Sequence, residues 1–290
     1  MRPKTSHVQT LKDYVTRQRL TLGNLRSRLR LRASPTRLDN SHWSRLLCFV
    51  HIPKCGGTSF NEVLWNVYGR NFLSYTYQAG SPGCDPEDIT RDQAKDVLAI
   101  SGHLPYGFHR QFGPQDENVF AGRDVHYVSI VRDPVSRLLS VARHVRSFPS
   151  HRLYEATKNM TYARFFDYAL ASGNTGIIGN NQSRLLTDKH PERAVEYART
   201  RYLAIATVES APDMISAVAE KLRWPEIRLG HKNRSPKDRA SKEDRALAQR
   251  LCEQHCQHDM ALYDYVKSQP GGFIVNAESK QAIDDADPPA

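Results

Sequence analysis

At 290 residues the chain is long enough to bury a full hydrophobic core, as one large domain with appendages. Its formal charge of +10 looks like a nucleic-acid signal until it is located: residues 1–45 hold 11 Lys and Arg against Asp13 and Asp39, and the rest of the chain is nearly neutral. No RRM-type, zinc-finger or helix-turn-helix signature accompanies that charge, so no nucleic-acid partner is expected.

The five cysteines are odd in number and scattered, which excludes a disulfide framework and implies reduced thiols. No apolar run approaches the roughly 18 residues of a membrane span, and the N-terminus lacks the apolar core of a secretory signal. A soluble, non-secreted, cytoplasmic protein is the expectation.

Residues 1–40 place Val8, Leu11, Val15, Leu22, Leu25 and Leu29 at spacings of three and four among arginines, with Gln18 in the one polar slot, an amphipathic helix pattern weakened by Gly23-Asn24. A basic helix face suits an anionic membrane surface or a partner protein, and equally a solvated helix packed on its own domain. A peripheral membrane contact through residues 1–37 is therefore one of the open alternatives.

The stretch that organises the chain is Leu46–Tyr68, LLCFVHIPKCGGTSFNEVLWNVY. An apolar run from Leu46 to Ile52 predicts a strand, Pro53 breaks it, and helical spacing resumes at Thr58 with Val63, Leu64 and Val67. Between them lie Lys54, Cys55, Gly56, Gly57, Thr58 and Ser59. The two glycines permit close backbone approach, the N–H groups of the loop and first helical turn face outward, and a phosphate-like anion is the expected guest. The lysine precedes the glycines, so this is no Walker A loop.

Tyr75–Glu87 carries Gly80, Pro82, Gly83 and Pro86 and predicts a loop. Asp96–Ser101 predicts a short buried strand running into Gly102-His103, and His126–Val131 another, ended by Arg132-Asp133-Pro134. Val135–Ser147 then has helical periodicity, with Pro134 suited to the first turn. Helices are predicted over Tyr162–Ala171, Pro191–Thr200, Ala211–Leu222 and Ser241–Lys267, the last opened by a capping-box spacing. Tyr202–Thr207 predicts a strand and residues 228–240 a basic loop.

Strands alternating with helices imply an α/β fold, an open, mainly parallel sheet covered on both faces. The expected organisation is a basic segment over 1–40, a catalytic-sized domain over 41–267 and a disordered tail over 268–290. Cys252, His255, Cys256 and Asp259 share one face of the last predicted helix, but one short helix does not close a tetrahedron. Buried thiols are the reading, and no metal is expected.

Three strand ends thus offer Lys54 with its anion loop, His103, and Arg132 followed by a helix carrying Ser140. In a doubly wound sheet these loops converge on one edge, so two anion sites and a base would share a cleft. On these residues the chain resembles sulfotransferases that use 3′-phosphoadenosine-5′-phosphosulfate (PAPS). HIPKCGGTSF is similar to their 5′-phosphosulfate loop and VSIVRDPVSRLLS to their 3′-phosphate segment, with Arg132 and Ser140 eight apart. SGHLPYG and NNQSRLL bring the match closest to the carbohydrate, heparan-sulfate 2-O-sulfotransferase-like branch, over residues 45–267.

The resemblance implies a P-loop-like fold, a PAPS donor without metal and in-line transfer to a hydroxyl of a glycan or glycolipid. Lys54 would stabilise the leaving 5′-phosphate, the amides of residues 55–59 would hold nonbridging oxygens, and His103 would be the base. Arg132 and Ser140 would grip the 3′-phosphate, Asn233 and Ser235 would lie in a loop closing over the nucleotide, and Asn180, Gln182 and Arg184 would line the acceptor cleft. The competing functions are a noncatalytic anion- or glycan-binding protein and a P-loop-like kinase.

Overall fold

The computed structural model describes residues 44–75, 89–113, 117–174, 176–225 and 240–276. The expectations for residues 1–40, for Asn233 and Ser235, and for the end of the chain beyond 276 lie outside the described residues. Among the described residues no helix is long and apolar enough to cross a membrane.

Six strands form one sheet: β1 (Arg45–Val50), β2 (Phe72–Tyr75), β3 (Ala99–Gly102), β4 (Asp124–Val131), β5 (Tyr202–Thr207) and β6 (Phe273–Val275). Their order is β2-β3-β1-β4-β5-β6. The first five run parallel and β6 is antiparallel to β5. The α/β, mainly parallel sheet expected from the sequence is therefore present, with β6 as a correction: ordered structure continues past residue 267 into the segment expected to be disordered.

Because β1 is flanked by β3 on one side and β4 on the other, the chain leaves the sheet in opposite directions about β1. That crevice, at the carboxyl ends of the strands, is where open α/β sheets bind ligands. Register makes the convergence concrete, since Val50 lies opposite both Gly102 and Ser129. The loops after β1, β3 and β4 therefore leave the sheet at one edge.

The parallel strands β1, β3 and β5 are buried on both faces, as their continuous apolar runs require. On one face Leu47, Phe49, Val128 and Ile130 pack with Phe60, Val63 and Leu64 of helix α1 (Gly57–Tyr68). On the other face Leu46, Cys48, Val50 and Ile100 meet Leu262 and Val266. Each such fully buried Leu or Phe contributes about 1.5–3 kcal/mol of transfer free energy. A third cluster lies among helices, where Leu138, Leu139 and Val145 pack with Phe165, Phe166 and Leu251. These come from α3 (Pro134–Ser147), α5 (Tyr162–Ala171) and α9 (Lys242–His255); the short helix α2 (Arg91–Lys95) precedes α3, and α4 (Tyr154–Thr157) lies between α3 and α5.

The remaining helices are α6 (Asn181–Thr187), α7 (Ala194–Thr200), α8 (Ala211–Lys221) and α10 (Gln257–Ser268). The single long helix predicted over Ser241–Lys267 is in fact two, α9 and α10, broken at Cys256, whose φ of −126° and ψ of 31° leave the helical region. The capping box holds, with Ser241 accepting from the Asp244 N–H and Asp244 reaching back to the Ser241 N–H. β3 starts at Ala99, three residues later than expected, because Asp96–Leu98 complete the exit from α2.

Candidate functional site

β1 delivers the chain into the loop Lys54–Gly56, where Lys54 has φ 69° and Gly56 φ 78°. A lysine in the left-handed region costs roughly 1–2 kcal/mol, and such strain is held where surrounding structure fixes a working conformation. Gly56 is the N-cap of α1, which has no side-chain cap and no acidic residue in its first turn. Its leading N–H groups therefore meet no competing carboxylate, and the positive end of the helix is left to an incoming anion.

Not every residue of the expected cradle faces that anion. The Cys55 N–H donates to the Ile52 carbonyl at 3.3 Å and the Ser59 N–H to the Gly56 carbonyl at 3.2 Å. These two amides build the turn, which leaves the positions around Gly56, Gly57 and Thr58 as the cradle. The Cys55 side chain points inward, donating from Sγ to Gln182 Oε1 at 3.3 Å. Burial pushes its thiol up to about 12, so it stays protonated and serves packing.

Arg132 follows β4 and reaches back to this loop, its Nη1 donating to the Lys54 carbonyl at 3.1 Å. Asp133 does not form a surface ion pair with it. Instead Asp133 caps α3, accepting the Ser136 N–H at 2.7 Å with Pro134 in the first turn. Ser140 lies two turns further on and is buried. Lys54 is held below its ordinary value chiefly by burial, then by the charges of Arg143 and Arg132. Three cations therefore converge where the β1 loop meets α3, the electrostatic counterpart of a polyanionic ligand.

His103 leaves the end of β3 beside the same edge, its N–H donating to the Tyr75 carbonyl at 3.3 Å. Burial holds its imidazole below the ordinary value of 6.5, so it is neutral and able to accept a proton at pH 7. Its ring meets that of His51 edge-on, centroids 4.6 Å apart and planes at 70°. His51, read from sequence as a strand residue, is thus a member of the site that hydrophobic patterning passed over.

Of the three residues expected to line an acceptor cleft, Gln182 and Asn180 are engaged within the fold. Gln182 is fully buried. Its Oε1 accepts the Arg132 N–H at 2.8 Å and its Nε2 donates to the Arg132 carbonyl at 2.9 Å, so its side-chain amide is spent on the loop after β4. Asn180 Oδ1 accepts the N–H groups of His258 and Asp259, capping α10. Asp259 in turn accepts the N–H groups of Gln182 and Ser183 at the start of α6, so it caps that helix. Arg184 is exposed on α6. Cys252 and Cys256 are buried thiols of the helical cluster.

The Sulfotransferase family model matches residues 44–266 of the chain. Among solved structures, that of mouse sulfotransferase SULT7A1 complexed with PAP is similar at 13% identity, covering 77% of this chain and 89% of that chain with a TM-score of 0.37. No curated protein gives a significant match.

Proposed function

The chain belongs to the sulfotransferase family, and from that premise we propose that it moves a sulfuryl group from PAPS to a hydroxyl of a glycan or glycolipid. The observation that carries this reading is the bond from Arg132 Nη1 to the Lys54 carbonyl at 3.1 Å, which ties the two anion-binding segments into one site. A donor with a 5′-phosphosulfate and a 3′-phosphate presents two anions in that way.

Sulfuryl transfer needs positioning and charge stabilisation more than covalent chemistry from the protein, as phosphoryl transfer does. Lys54 neutralises the charge that grows on the leaving 5′-phosphate oxygen as the S–O bond breaks. The amides around Gly56–Thr58 hold the nonbridging oxygens. Arg132, in the loop after β4, with Ser140 on the helix that follows, reads the 3′-phosphate. His103 takes the acceptor hydroxyl proton as the new S–O bond forms, leaving PAP and the sulfate ester. A noncatalytic binder has no use for a neutral imidazole beside the anion loop.

A glycolipid acceptor also gives residues 1–37 a purpose. Their basic amphipathic pattern holds nearly all the net charge and would bring the enzyme to an anionic membrane surface. The test of the acceptor class is incubation with sulfur-labelled PAPS and a panel of glycans, glycolipids and tyrosine peptides. Label in a glycan or glycolipid is expected. Label only in tyrosine peptides overturns the acceptor class, and donor binding without transfer returns the noncatalytic reading.

A further inference from the structure

His51 is 7% exposed, and its Nδ1 is buried with no hydrogen-bond partner among the described residues. Buried imidazole nitrogens are normally paired, so an unpaired one shows a ring oriented by the shape of its surroundings and not by a hydrogen bond. Three neighbours supply that shape. Phe49 stacks on the ring with centroids 5.5 Å apart and planes at 17°. Gly57 receives it from the anion loop, where a Cβ would stand 2.2 Å from His51 Cδ2 and 2.5 Å from Nε2, so any side chain at 57 would expel the ring. His103 closes the third side with its edge-on contact at 4.6 Å.

The backbone enforces the same relation, the His51 N–H donating to the Gly102 carbonyl at 2.9 Å immediately before His103. The ring is thus a wedge between the loop that holds the donor and the residue that takes the acceptor proton. Burial pushes His51 down to about 3, with the His103 charge as the second cause. It therefore stays neutral while His103 titrates, and burial is the cause acting on His103 itself.

Resting on the reading of His103 as the base, we infer that His51 is its positioning residue: an uncharged ring that sets the His103 plane against the anion loop and keeps water from its inner side. Ring shape carries this role, so replacing the ring and replacing only its nitrogens have different consequences.

The test compares His51→Asn and His51→Phe in the full chain by pH–rate profiles, with PAP-induced melting shifts as the measure of donor binding. His51→Asn removes the wedge and admits water, so kcat falls about tenfold or more and the acid limb of the profile moves to higher pH as His103 returns toward its ordinary value. The PAP shift stays near wild type. His51→Phe keeps a ring stacked on Phe49 and retains kcat within about threefold, with the acid limb unmoved. Wild-type kcat and acid limb in His51→Asn overturn the inference, as does a folded His51→Phe protein as slow as the asparagine variant. Should His51→Asn fail to fold, His51→Phe alone decides. A fully active His103→Ala protein overturns the base assignment itself, a result that either His51 variant leaves separable.

Discussion

Gln182 grips Arg132 by both of its backbone polar groups, accepting from the N–H at 2.8 Å and donating to the carbonyl at 2.9 Å. The same Oε1 takes the Cys55 thiol, so one buried amide joins the β1 loop to the β4 loop. The β1 and β4 loops are thereby fixed relative to each other, and with these loops as the proposed anion-binding segments that lowers the ordering cost of binding.

Gln182→Leu should leave the Arg132 N–H and carbonyl without that partner. The expected loss is about 1–3 kcal/mol of stability, together with weaker PAP binding because Arg132 is no longer held in place. Thermal melting with and without PAP checks this. A rise in acceptor KM with unchanged melting and PAP affinity would restore Gln182 to the acceptor cleft.

This clamp shows where sequence reading stops. β1, α1, β4, α3, α5 and β5 were legible because apolar periodicity and Pro134 mark them locally. The β6 strand hides behind Pro270-Gly271-Gly272, a turn signal that reads as the end of structure. The break at Cys256 has no glycine or proline to announce it. Gln182 and Asn180 sit in a motif whose partners are Arg132 and Asp259, far away in the chain, so their hydrogen bonds exist only once the fold does. His51 was invisible for the opposite reason, since it lies inside an apolar run whose pattern accounts for it as strand.

His103→Ala should lower turnover by about two to four orders of magnitude with PAP affinity nearly intact. In the wild type, burial holds His103 below 6.5, so the acid limb of kcat/KM should have its midpoint below that pH. The base must be neutral to accept a proton, and rate is lost as pH falls through its folded value. A profile flat through that region, or full activity in the alanine variant, would remove His103 from the chemistry.

The fold itself should be acid-labile. His51 is pushed down to about 3, and His109 and His144 to about 4, each chiefly by burial. The unfolded chain binds these protons near 6.5 and the folded chain refuses them, so stability is fully present above about pH 6.5 and is lost as pH falls toward 4 and 3. Melting temperature against pH should fall through that window, with proton uptake on unfolding seen by calorimetry in buffers of different ionisation heat. A melting temperature constant from pH 7 to 4.5 would show that these histidines are not shielded.

Deletion of residues 1–40 should abolish binding to anionic vesicles while turnover of a soluble acceptor persists. Each basic residue near such a surface contributes roughly 1 kcal/mol, screened by salt. Vesicle co-sedimentation at low and high ionic strength reads this directly. Aggregation of the truncated protein would instead make the segment part of the folded core.

The central claim is that the Lys54 loop and the Arg132–Ser140 segment form one donor site reading two phosphates. Calorimetric titration of the wild type and Arg132→Ala with PAP, AMP and ATP tests it most directly. PAP should bind the wild type at least about tenfold more tightly than AMP or ATP, a difference of about 1.4 kcal/mol, and Arg132→Ala should bring PAP down to the AMP level. Equal affinity for all three nucleotides, unchanged by Arg132→Ala, would contradict it.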